Sequence, residues 1–139
     1  MKVAIVYWSG TGNTEEMAKA VAAGAAEAGA EVSSFSASDF NSSMISDYDS
    51  FAFGCPSMGT EELEDCEFQP MFDDVKDSLG NKKVALFGSY GWGDGEWMRN
   101  WQADCESSGI SLVADGLIVN DAPDDEAIEN CKNLGKALV

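Results

Sequence analysis

A doubly wound α/β domain, with a parallel sheet covered by helices on both faces, is the fold class that this 139-residue sequence predicts. Three observations predict it. Short apolar runs alternate along the chain with segments whose apolar residues recur at helical spacing. The runs at 3–8, 51–55 and 84–87 lack the in/out alternation of a half-exposed strand, as expected where a parallel sheet is covered twice. The first run ends in Ser9-Gly10-Thr11-Gly12-Asn13-Thr14, a glycine- and hydroxyl-rich passage from strand to helix.

Taken in order, Val3–Trp8 reads as the first strand. A helix follows, with Met17, Val21, Ala25 and Ala28 on one face; Asn13, with Glu16 three residues on, reads as its start and Gly29 as its stop. Val32–Phe35 is the second strand, and the short polar segment 41–48 has the least periodic helix pattern. Ser50–Cys55 is the third strand, and Phe68, Phe72, Val75 and Leu79 repeat the helical spacing after it. Val84–Gly88 is the fourth strand; Trp97, Trp101 and Cys105 then share a helix face, with both indoles expected in the core. Ile110–Val113 with Leu117–Val119 forms the last β unit, and Ile128, Cys131, Leu134 and Leu138 close the chain on a helix with Pro123 near its start. No repeat or linker interrupts the series, so residues 1–139 are expected to form one domain.

Charge narrows the function. Eight basic residues face 25 acidic ones, a formal −17, which makes nucleic acid and anionic membrane poor partners. Between Glu61 and Asp77 lie eight carboxylates against the single Lys76. That stretch is either a solvated face or a patch that steers a basic partner and repels charge gained by a bound ligand. Cys55, Cys66, Cys105 and Cys131 are widely spaced and there is no histidine, so buried or idle thiols are expected and no metal site. With neither an export leader nor an 18-residue apolar run, the expectation is a soluble cytoplasmic protein.

The 9–14 turn carries the first chemistry. Where a strand meets a helix N-terminus, backbone N–H groups and the helix dipole favour an anion. Gly10 and Gly12 let the backbone curl around it, while Ser9, Thr11 and Thr14 can donate hydroxyl hydrogen bonds. A P-loop would need a lysine, and a dinucleotide fingerprint would need glycine where Glu15 stands. Ligands of such sheets bind beyond the carboxyl ends of the strands, which selects two more loops: Pro56-Ser57-Met58-Gly59-Thr60-Glu61-Glu62, and Ser89-Tyr90-Gly91-Trp92-Gly93-Asp94-Gly95. Gly91 and Gly93 leave Trp92 free to lie against a flat ligand, and Met58 can offer its thioether to the other face. Glu61 can accept from an imide N–H at the edge. A phosphate tail and a planar redox-capable head describe flavin mononucleotide (FMN). Trp8, at the strand end, fits either the core or the site.

In these three loops the chain resembles the short-chain flavodoxins of the clostridial and rumen-bacterial kind. The match is carried by Tyr7 through Thr14, Gly54-Cys55-Pro56-Ser57-Met58-Gly59, and Leu86 through Gly93. The resemblance implies a five-stranded parallel sheet in the order 2-1-3-4-5, for which flavodoxin is itself the type example. It implies that Ser9, Gly10, Thr11, Gly12, Asn13 and Thr14 bind the phosphate of non-covalently held FMN. It implies Trp92 on one isoalloxazine face, Met58 on the other, Glu61 at N3, and the backbone of Tyr90, Gly91 and Gly93 at the pyrimidine end. Pro56, Ser57, Thr60 and Ser89 complete the carried-over set. In such proteins the peptide after Met58 turns over on one-electron reduction, a change that Gly59 suits; strain from a larger residue there is expected only after that change.

The function so implied is a low-potential one-electron carrier that shuttles electrons between oxidoreductases in place of ferredoxin, without substrate turnover of its own. Its expected partners are redox proteins with basic docking faces, and it is expected to be a monomer. A small FMN-dependent quinone or NAD(P)H reductase is the alternative. A phospho-receiver domain is excluded, because its acidic, aspartyl and lysyl positions hold Ser9, Cys55 and Asn120.

Overall fold

The computed structural model describes residues 1–139. Its strands are β1 (Lys2–Tyr7), β2 (Glu31–Ser36), β3 (Ser50–Gly54), β4 (Lys83–Tyr90), β5 (Ser111–Leu112) and β6 (Leu117–Asn120). The helices are α1 (Asn13–Glu27), α2 (Phe68–Val75), α3 (Glu96–Ser107) and α4 (Asp125–Ala137). Every strand pairing is parallel, in the order β2-β1-β3-β4, with β5 and β6 both alongside β4. β5 pairs with Lys83–Val84 and β6 with Phe87–Tyr90, so the fifth position of the expected 2-1-3-4-5 order is one rail in two pieces.

The central strands are apolar on both sides because both sides are covered. Val3 and Ile5 of β1 join a cluster beneath α1 and α4, while Ala4 and Val6 join a larger one beneath α2 and α3. That larger core is aromatic: Trp101 stands nearly perpendicular to Phe68 and Phe72, and Phe72 nearly perpendicular to Phe53, in T-shaped pairs. Such pairs add about 0.5–1.5 kcal/mol each beyond burial. Trp97 and Trp101 are buried as the helical spacing indicates, and the Trp97 indole N–H donates to the Cys55 carbonyl at 3.1 Å. All four thiols are free. Burial pushes those of Cys55 and Cys105 up to about 12 and that of Cys131 up to about 11. No helix is long and apolar enough to cross a membrane.

Two elements differ from expectation. Segment 41–48 forms a 3-10 helix over Ser42–Asp47, not an α-helix, with the Asn41 carboxamide accepting from the Ser43 N–H. Short polar side chains that bond the nearby backbone favour such tight turns. Asn13 does not cap α1: the cap position is Gly12, at φ 98°, and Asn13 is already helical. The glycine lets the chain reverse so sharply that the capping oxygen comes from Ser9. At the other end Gly29 behaves as expected, with its N–H on Ala26 and that of Ala30 on Ala25. Between α1 and α4 the backbones nearly touch, because Gly24 faces the Lys132 carbonyl and Gly135 faces that of Val21.

Candidate cofactor site

The loop after β1 closes on itself through its own atoms. Ser9 Oγ accepts from the N–H groups of Gly12 and Glu15, each at 3.2 Å. Two helix-start N–H groups that converge on one oxygen are what a phosphate oxygen needs there, so the residues fit the group. The Trp8 indole roofs Gly10, where an added Cβ would stand 3.1 Å from Cη2. Thr14 is buried, and its hydroxyl accepts from the Ser89 N–H at 3.3 Å, which ties this loop to the end of β4. Ser89 Oγ in turn donates to the Asp121 carbonyl at 2.7 Å, and the Ser57 N–H donates to the Ser89 carbonyl at 3.0 Å. Four loops are thus tied around one strand end.

The loop after β3 is a small hairpin. Met58 and Glu62 exchange N–H to carbonyl bonds at 2.8 Å, so Gly59, Thr60 and Glu61 form a three-residue turn. Its foot is fixed by Glu64, whose buried carboxylate accepts from the N–H groups of Cys66, Glu67 and Phe68 at 2.7–2.8 Å. Burial pushes that carboxyl up, but the Phe68, Glu67 and Cys66 N–H bonds outweigh it and hold it below its ordinary value. Glu61 reaches across to the next loop: Oε1 accepts from the Glu96 N–H at 3.1 Å, and a Cβ at Gly93 would stand 2.5 Å from the same oxygen. Glu61 therefore caps α3, whose own cap residue, Gly95, offers no side chain.

Gly59 already sits at φ 53°. This corrects the expectation that a side chain at 59 is strained only after reduction: a residue with a Cβ is strained in this conformation too. Gly59→Val is therefore expected to destabilise the fold by about 1–3 kcal/mol. Urea unfolding of the two apoproteins checks it, and an unchanged midpoint would show that the turn relaxes freely.

Between the loops lies a cleft of about 230 Å³. Of the sequence-selected residues it brings together Gly10, Thr11 and Asn13; Pro56, Ser57 and Met58; and Ser89, Tyr90 and Gly91. Ser9 and Gly12 instead line an adjoining hollow that shares Trp8, Gly10 and Thr11 with the cleft, and Thr14 is buried; Gly59, Thr60, Glu61, Trp92 and Gly93 lie outside the cleft, at the hairpin and the β4 loop. Trp92 is 62% exposed, against 1–3% for Trp97 and Trp101, which removes it from the core. Two further residues line the cleft: Trp8, at a strand end that suits either core or site, and Asp121, in the loop after the split fifth strand. The cue for Asp121 was available in the same rule, since it too ends a parallel strand; it sits at φ 59° with its N–H on the Tyr90 carbonyl. A larger groove, about 680 Å³ between α3 and β6, contains no residue of the 9–14 or 56–62 loops.

Trp92→Ala is expected to weaken FMN binding by about 0.5–1.5 kcal/mol beyond lost contact area and to quench the flavin less. Fluorescence titration measures both; if neither changes, this indole is a surface residue without a role.

A parallel sheet with a glycine- and hydroxyl-rich turn after its first strand and a cleft between the loops at the carboxyl ends of its strands defines a doubly wound α/β protein with a candidate ligand cleft there. Comparison with known proteins makes this specific. The flavodoxin family model matches residues 5–135. A flavodoxin of Megasphaera elsdenii is 48% identical over 135 residues, covering 97% of this chain and 96% of its own. One of Clostridium beijerinckii is 46% identical over 134 residues, covering 96% of each. The solution structure of two-electron reduced M. elsdenii flavodoxin superposes with a TM-score of 0.88 at 47% identity, over 98% of this chain and 97% of that one. The chain belongs to the flavodoxin family. Its members are electron carriers that bind FMN, and the flavoprotein and electron-transport character of this chain follows from that membership.

Proposed function

We propose that this chain is a low-potential one-electron carrier that shuttles electrons between oxidoreductases in place of ferredoxin, as a single-domain monomer in the cytoplasm and without substrate turnover of its own. Bound FMN supplies the redox chemistry; the chain supplies binding, orientation and electrostatics. The backbone and hydroxyls of 9–14 hold the phosphate, Met58 and Trp92 flank the ring, and Glu61 takes its N3 edge. Pro56, Ser57, Gly59, Thr60, Ser89, Tyr90, Gly91 and Gly93 form the surrounding backbone.

The observation that carries this reading is the exposed Trp92 indole, in the loop after β4, beside a cleft lined by the loops after β1, β3, β4 and β6. A flat ring that stacks on an indole at the surface keeps an edge within reach of a partner protein, as an electron carrier needs. Charge supports the same direction. The loops at the carboxyl ends of the strands carry carboxylates, whereas Lys2, Lys82 and Lys83 lie at the opposite end of the sheet. An anion formed at the ring is therefore disfavoured, which lowers the potential of the step that creates it, and a basic docking face is steered to that end.

The test is loading with FMN followed by stepwise potentiometry and an assay for unaided NAD(P)H oxidation. Two separated one-electron steps without NAD(P)H oxidation support the carrier; steady NAD(P)H consumption would make the chain a reductase. Electron transfer to a basic acceptor is expected to slow several-fold as the Debye length falls from about 30 Å at 0.01 M salt to about 8 Å at 0.15 M. Stopped-flow rates that ignore ionic strength would leave the carboxylates as a solvated face.

A further inference from the structure

The loops at the carboxyl ends of the strands, together with the first turns of the helices that they enter, contain one cationic side chain, Arg99. It stands in the first turn of α3 and reaches back over the loop that carries Trp92. Nη1 donates to the Asp94 carbonyl and Nη2 to the Asp94 carboxylate, each at 2.9 Å. Asp94 lies between Gly93 at φ 82° and Gly95 at φ 92°, a stretch whose glycines restrain it little. The hydrogen-bonded Asp94 carboxylate, and beyond it those of Glu61 and Glu96, favour the charged guanidinium. Glu61 is itself docked on the Glu96 N–H. Three carboxylates and one guanidinium thus form a cluster of net charge −2 beside the hairpin and the Trp92 loop.

We propose that Arg99 is a positioning residue that tunes the cofactor: it anchors Asp94 and offsets one of three neighbouring carboxylates, limiting how strongly the chain disfavours the negative charge of fully reduced FMN. The proposal rests on the reading that the ring lies by Met58, Glu61 and Trp92. Its electrostatic logic needs only that reading and Coulomb's law. A reduction step that takes up a proton with its electron adds no charge and feels Arg99 little. A step that leaves a net negative charge feels it fully. The Arg99 and Asp94 side chains are 61% and 78% exposed, so solvent screens the effect and it is modest.

The experiment compares Arg99→Gln, Arg99→Lys and Asp94→Asn in the FMN-loaded protein, reading both potentials by spectroelectrochemistry and FMN affinity by titration of each apoprotein. Arg99→Gln is expected to shift the second reduction equilibrium two- to fivefold toward the oxidised side, a drop of about 20–40 mV at about 59 mV per tenfold for one electron. Asp94→Asn is expected to move it the opposite way and Arg99→Lys to stay near the parent. All shifts should shrink near 1 M salt, where the Debye length is about 3 Å. Shifts of the same sign in Arg99→Gln and Asp94→Asn would mean loop distortion and overturn the proposal, as would an unmoved second potential. Native apoprotein that takes up no FMN would overturn the cofactor reading and this proposal with it; uptake with unshifted potentials overturns this proposal alone.

Discussion

Apoprotein titrated in parallel with FMN and riboflavin is expected to bind FMN about a thousandfold more tightly or better. The phosphate is the only difference between the ligands, and the 9–14 loop has no cation to attract it. The discrimination must come from N–H and O–H donors: the helix-start amides now turned onto Ser9 Oγ, and the hydroxyls of Thr11 and Thr14. Hydrogen bonds to a charged group contribute about 1.5–3 kcal/mol each, so three give about 4.5 kcal/mol at the low end, a factor above a thousand. Inorganic phosphate should compete with FMN but not with riboflavin. Equal affinities would remove the phosphate from this loop.

Gly135→Ala is expected to destabilise the fold by about 3 kcal/mol, the upper end of what overpacking costs. The new methyl would run into the Val21 carbonyl of α1, a backbone atom that cannot rotate aside. Gly24→Ala meets the Lys132 carbonyl on the same seam, so the two helices must separate in either variant. Urea unfolding followed by circular dichroism measures the loss as a lower midpoint at an unchanged slope. A change below about 0.5 kcal/mol would show that α4 slides freely on α1.

Patterns of period tell where strands and helices lie, and here they did so wherever burial is two-sided. β1, β3 and β4 were readable because Val3–Val6, Phe51–Phe53 and Val84–Phe87 are buried on both faces. The broken fifth rail was visible as two runs, 110–113 and 117–119, but their common partner β4 was not, because pairing is a long-range fact. Local competition hid the other details. Asn13 and Glu16 carry a capping pattern, yet Gly12 turned the chain so that a residue six positions upstream of Glu15 captured its N–H. At the cleft, glycine, serine and methionine positions were readable because loop chemistry is local. The reach of Glu61 to Glu96 was not, because it depends on two loops meeting. Gly59 shows a further limit: composition marked it as able to adopt positive φ, but only the hairpin reveals that it already does.

The Ser9 hydroxyl gives the start of α1 an acceptor from its own chain, three and six residues from the N–H groups that it takes. A closure this short costs little chain entropy, so the turn can form before any strand has found its partner. The sheet is assembled from pairings far apart in sequence and must wait for them. The strand-to-helix corner is thus a feature that folding can set early, with the slower long-range pairings built onto it.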